Sequence, residues 1–156
     1  MKTSALNCVV DASVGIKLFV KEELSEKTHA LFAYLTASSP AQFYVPDLFF
    51  IECTNILWKY TYRFDYPADK ARKNLINLEK LALQRTPTSD LMVEALDIAV
   101  PHSISAYDAC YVALAQRLSL PLITADEKLV NKLANSTYTV QWLKDFPIPP
   151  LQRNDS

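Results

Sequence analysis

The chain has 156 residues, a net charge of −1 at pH 7, and is 50% hydrophobic and 21% charged. That is the balance of one ordinary globular domain, large enough to bury a core without a disulfide or metal staple. The charge argues against a strongly basic nucleic-acid binder, although local placement matters more than the total. The single glycine, Gly15, excludes a glycine-rich phosphate loop, and with it a nucleotide cofactor held in that way.

Asn7 and Asp11 cut the apolar stretch of MKTSALNCVVDASV, and no cleavage-type site follows, so no signal peptide is expected. Leu6 to Val10 reads as a buried strand ending at Asp11. A short helix over 13–21 and a longer one over 24–36 follow, the second broken by Ser38, Ser39 and Pro40. Phe43 to Val45 is a brief strand closed by Pro46, and Asp47 is expected to N-cap a helix running through Glu52 to about Phe64. Pro67 fits the first turn of another helix ending near Leu81.

Leu83 to Arg85 is read as a strand, and Thr86-Pro87-Thr88-Ser89 leads into a helix ending before Pro101. Ser105 caps a strongly apolar helix through Leu118. Leu120 to Thr124 is a strand, Asp126 opens a helix, and Tyr138 to Trp142 is the last strand. Residues 1–146 are expected to form one domain, with a loose, Pro-rich tail over 147–156. Short apolar strands without period-two alternation, alternating with helices, imply a parallel sheet between helical layers, an α/β/α sandwich. No run approaches the ~18 apolar residues of a membrane span, so a soluble, cytoplasmic protein is expected.

Cys8, Cys53 and Cys110 each lie in an apolar segment and are read as buried small hydrophobes. His29 and His102 stand without partners at zinc-ligand spacing. The acids are more informative. Asp11 and Asp126 follow strands, where open parallel sheets collect functional groups. Glu52 and Asp108 sit inside apolar runs, where a lone carboxylate is costly. Each has an ordinary reading: Asp126 as a helix cap, Asp108 or Glu52 in a buried ion pair or at a solvent edge. A divalent cation answers all four together, because oxygen-rich carboxylate clusters suit magnesium or manganese. Without one, mutual repulsion should raise the pKa of at least one of them.

Four segments then resemble the signature of PIN-domain proteins, and within them the VapC-like toxins of toxin–antitoxin pairs. They are VVDASV with Asp11, Pro46 followed by Glu52 in PDLFFIECTNIL, SAYDACYVALA with Asp108, and LITADEKL with Asp126. The resemblance spans about residues 6–146. It implies a mainly parallel five-stranded sheet with helices on both sides, and a Mg2+- or Mn2+-dependent ribonuclease acting on an RNA substrate. By motif position Asp11, Glu52 and Asp108 would bind the metal, with Asp126 binding directly or through water. Ser13, Ser105 and Thr124 fall where the family often has small hydroxyls, and Asn55 where it is often polar. An antitoxin partner is implied likewise, and an apolar helical face carrying Trp58 and Tyr62 suggests a homodimer, as toxins of this kind usually form.

The chemistry agrees. Phosphodiester cleavage needs a nucleophile stronger than neutral water and relief of charge on the phosphate, which one or two divalent ions supply together. No histidine pair is present to replace them. A haloacid-dehalogenase-type phosphatase would need an aspartate where Ser13 stands, and a response-regulator receiver an acidic pair where Asn7 and Cys8 stand. The alternative within the family is a PIN-like protein-binding module without catalysis, whose sign would be the loss of an acid; none is lost. The stretch from Trp58 to Tyr66 has two readings. Its aromatics and Lys59 and Arg63 could hold RNA, or, as favoured on sequence, form a helix end packed into the core or a partner. Lys70, Arg72 and Lys73 are read as a solvated face.

Overall fold

The computed structural model describes residues 6–37 and 41–151. Its sheet has five strands: β1 (Leu6–Val10), β2 (Ala41–Pro46), β3 (Leu83–Thr86), β4 (Leu122–Thr124) and β5 (Val140–Trp142). All pairings are parallel, in the order β3-β2-β1-β4-β5, with Val9 opposite Tyr44 on one side and Leu122 on the other. Cys8, Val9, Val10, Phe43, Val45, Leu122 and Ile123 are fully buried, as befits continuous apolar strands covered on both faces. The chain leaves β1 toward β2 and β3, then returns to place β4 on β1's other side. The carboxyl ends of β1 and β4 therefore flank the topological switch, where such sheets open a crevice.

The helices are α1 (Ala12–Gly15), α2 (Ser25–Phe32), α3 (Leu48–Phe64), α4 (Ala68–Glu79), α5 (Met92–His102), α6 (Ala106–Leu118) and α7 (Glu127–Lys132). Helix α6 is the central one. Every residue from Ala109 to Ala115 is buried, and it packs on β1, β2, β4 and α5. Helix α1 crosses α3 so closely that Gly15 is required: a Cβ there would lie 2.6 Å from the Phe49 ring. The three cysteines are free and buried, as expected.

Several local expectations are corrected. The helix over 13–21 is only α1 followed by a 3-10 turn, Ile16–Leu18, and α2 likewise ends in the 3-10 turn Ala33–Leu35. The break expected at Ser38, Ser39 and Pro40 lies outside the described residues. Pro67 precedes α4 as its N-cap residue rather than sitting in its first turn. Helix α5 runs through Pro101 to His102, where Ser103 stops it in the left-handed region. The cost is the one helix bond that an N–H at position 101 would have made to the Asp97 carbonyl, at an end whose last carbonyls have no helical partner in any case.

Asp47 occupies the N-cap position of α3, but its carboxylate caps nothing on that helix. It accepts instead from the Thr88 N–H at 2.8 Å, while the Thr88 hydroxyl accepts from the Leu48 N–H at 3.0 Å. Each of two turns thus supplies the other's cap. From Pro147 to Leu151 the backbone is irregular, and the Tyr34 hydroxyl donates to the Pro149 carbonyl.

Candidate metal centre

Asp11 leaves β1 in extended backbone (φ −98°, ψ 175°) and caps α1. Its Oδ1 accepts from Ser13 Oγ at 2.5 Å and from the Val14 N–H at 3.3 Å. Asp126 follows β4 and caps α7, with Oδ1 accepting from the Lys128 and Leu129 N–H groups at 3.0 and 3.4 Å. The ordinary capping role is thus real for Asp126. Ser13 and the fully buried Thr124 join the two strand ends. Ser13 Oγ lies 3.4 Å from Thr124 Oγ1 and accepts from the Ala125 N–H at 3.0 Å. Thr124 Oγ1 accepts from the Asp126 N–H at 3.1 Å.

The other two acids come from helices. Glu52, half-buried in the second turn of α3, accepts from the Tyr111 hydroxyl at 2.6 Å. Asp108 stands in the first turn of α6, and its N–H donates to Ser105 Oγ at 3.0 Å. Tyr111 lies one turn beyond Asp108 and is 1% exposed, so the helix that carries one acid also fixes another. Sequence reasoning missed Tyr111. The only signal was its hydroxyl in an apolar run three residues after Asp108, because its partner lies on a different helix. Asn55 sits exposed on the outer face of α3 and touches none of these groups by hydrogen bond.

Burial dominates the electrostatics. It pushes the Asp11 carboxyl up to about 6, against hydrogen bonds from Ser13, Thr124 and Val14, with the Asp108 charge adding to the rise. Burial raises Glu52, opposed by the Tyr111 bond and helped by Asp108. Burial also raises Asp108, with Asp126 adding to it and Ser105 and the charge of Lys132 opposing. Raised values were expected, but repulsion was the expected cause; desolvation is larger in all three. Asp108 is the hub, acting on Asp11 and Glu52 and acted on by Asp126.

Among the described residues, no three His, Cys, Asp or Glu side chains are drawn close enough to hold an ion as they stand. Oδ1 of Asp11, Oδ1 of Asp126 and Oε1 of Glu52 are each engaged by donors. The donor set is nonetheless all carboxylate and hydroxyl oxygen, which fits a hard ion such as Mg2+ or Mn2+ and not a thiolate- or imidazole-seeking one.

Residues 8–134, a span that includes all four acids, match the PIN domain family. Ribonuclease VapC3 of Pyrobaculum aerophilum is 33% identical over 129 residues, covering 81% of this chain and 95% of that one. Among solved structures, PAE2754 from Pyrobaculum aerophilum has a TM-score of 0.62 at 21% identity, over 90% of this chain and 93% of that one. A toxin–antitoxin complex from Klebsiella pneumoniae gives 0.60 at 18% identity, over 86% and 95% respectively. These structures share the fold, and the sequence match shows that the chain belongs to the PIN-domain family.

Proposed function

We propose that the chain is a ribonuclease working with Mg2+ or Mn2+, and the toxin of a toxin–antitoxin pair acting in the cytoplasm. Residues 1–146 form its nuclease unit. Asp11, Glu52 and Asp108 hold the ion, and Asp126 binds it directly or through water. The observation that carries this reading is Asp11: a carboxyl 5% exposed at the switch crevice, raised to about 6, with a second raised acid, Asp108, acting on it. A structural carboxylate buried so deeply would be expected to have a basic partner, and no ion pair to it exists among the described residues.

When bound, the ion relieves charge on the phosphate and acidifies an attacking water. The chain's own residues orient the acids. Ser13 and Val14 fix the Asp11 carboxylate, Tyr111 fixes Glu52, the α7 cap fixes Asp126, and Ser105 sets the turn that presents Asp108. The names of VapC3 and of the Klebsiella pneumoniae complex support RNA as substrate and an antitoxin as protein partner. Self-association as a homodimer belongs to the same reading. The face to which the sequence points, Trp58 and Tyr62 on α3, is 57% and 74% exposed, and helix α5 adds an apolar stripe of Met92, Val93, Leu96 and Val100. Sedimentation of the chain without partner checks it, and a strict monomer counts against it.

The main test is RNA cleavage with each metal, with chelator, and by Asp11→Asn. Cleavage is expected only with metal and only in the parent. Undiminished cleavage in chelator overturns the metal role.

A further inference from the structure

We propose that Lys132 binds a phosphate of the RNA backbone next to the scissile one, at the rim of the acidic centre between α7 and the start of α6. The proposal rests on the ribonuclease reading and names a residue that seats its substrate. The need for such a residue is electrostatic. Four ionised carboxylates around one divalent ion remain an anionic site, and a second ion only neutralises them. An RNA strand adds a negative charge with every phosphate. A strand that settles there gains from a cation of the chain beside the acids.

Lys132 ends α7, the helix that Asp126 caps, and its ammonium donates to the Ser103 carbonyl at 2.9 Å. Ser103 stops α5 two residues before Ser105 caps α6, whose first turn carries Asp108. The ammonium therefore bridges the two elements that present Asp126 and Asp108. It stands near enough to Asp108 for its charge to oppose the rise of that carboxyl. Yet it forms no ion pair with any acid among the described residues, so it lies outside the set of groups that would hold the ion. A lysine serving the fold as a counter-ion would have closed on a carboxylate. This one is exposed and anchored on a neutral carbonyl, which leaves its charge uncompensated and other N–H donors for a ligand. The anchor also lessens the freedom that a long side chain loses on binding. Among the described residues, no other cation bears on Asp11, Glu52 or Asp108. Lys59 and Arg63 instead flank the aromatics of α3, where Trp58 is exposed rather than buried in the core.

The test follows the anisotropy of a fluorescein-labelled, uncleavable 2′-O-methyl single-stranded oligonucleotide of mixed sequence, titrated with the full chain in Mg2+ across a series of salt concentrations. Lys132→Gln should bind several-fold more weakly and lower the salt slope by roughly 0.7, the share of one single-strand phosphate contact. Lys132→Arg, which keeps the charge and its donors, should restore both. Lys73→Gln removes the same net charge from α4, an element that carries none of the acids, and should leave the slope unchanged. In cleavage of linear RNA at saturating Mg2+, Lys132→Gln should raise KM and leave kcat near that of the parent, as for a contact made equally in the ground and transition states. Loss of a cation beside the acids does not weaken their attraction for Mg2+, so that rise is not a metal effect.

If Lys132→Gln keeps the salt slope and KM of the parent while Asp11→Asn is inactive, the ribonuclease stands and the phosphate contact is wrong. If kcat falls with the slope unchanged, Lys132 acts only by holding the turn between α5 and α6, and the proposal is overturned. A parent chain that fails to bind the oligonucleotide at low salt overturns it as well. If the slope falls as expected but no metal supports cleavage, the contact stands and the ribonuclease reading falls.

Discussion

Folding removes the Asp11 carboxylate almost wholly from water, and its hydrogen bonds do not offset that loss, so it holds a proton up to about pH 6 rather than 3.8. A carboxyl whose folded pKa lies above its unfolded one contributes stability that is full below the unfolded value and lost as pH rises through the folded value. For Asp11 the loss across that window is about 3 kcal/mol in metal-free protein. Asp11→Asn should therefore melt above the parent in chelator at neutral pH, and the gap should close as pH falls through 6 toward 3.8. Melting curves of both proteins against pH check this; a gap that widens on acidification would contradict it. Gly15 makes a steric demand instead. Its Cβ position lies 2.6 and 2.8 Å from two atoms of the fully buried Phe49 ring, so Gly15→Ala should cost about 1–3 kcal/mol by overpacking. Thermal denaturation measures it, and an unchanged Tm would mean that α1 and α3 can separate freely. Asp11 was legible in the sequence because the end of an apolar strand is a local signal. The need for glycine at position 15 was not, since it arises from a contact with α3.

Helix ends show the same division. Ser105 and Asp126 were legible as caps because a cap and the N–H groups it accepts lie within three residues. The exchange between Asp47 and Thr88 was not, because its partners stand 41 residues apart and meet only when β2 pairs with β3. Helix stops carry no glycine signal here; those near Phe64 and Leu118 were still legible, whereas α5, expected to end before Pro101, runs on to His102. The usual left-handed glycine is absent. Asp65, Ser103 and Ser119 take that conformation at the ends of α3, α5 and α6, with φ of 53°, 55° and 54°. A residue with a Cβ pays roughly 1–2 kcal/mol there, partly returned because glycine loses more entropy on folding. At Ser119, only the backbone N–H is part of the α6 cap, donating to Ala115 and Gln116. Ser119→Gly should accordingly stabilise the fold by about 0.5–1 kcal/mol, read as a higher denaturant midpoint at unchanged slope. A lower midpoint would show that the serine side chain contributes something beyond the cap.

At the scale of the molecule, the four acids of the proposed centre stand on four separate elements: the end of β1, α3, α6 and the start of α7. An ion bound by all of them should cross-link the fold. A ligand that binds only the folded state adds about 2.7 kcal/mol at a hundred times its Kd, so Mg2+ or Mn2+ should raise the Tm of the parent by several degrees. Asp108→Asn separates this from a structural role. Among the described residues the cation acting on Asp108 is Lys132, whose ammonium also donates to the Ser103 carbonyl at 2.9 Å. If Asp108 were the anion of a buried pair, its loss would cost about 3–5 kcal/mol. If it is instead a raised, half-buried ligand that pushes Asp11 and Glu52 upward, its neutral amide relieves the apo protein. Asp108→Asn should then melt at or above the parent in chelator, lose most of the metal-induced rise, and fail to cleave RNA. A variant that melts far below the parent in chelator yet cleaves RNA with metal would make Asp108 structural and remove the hub from the proposed centre.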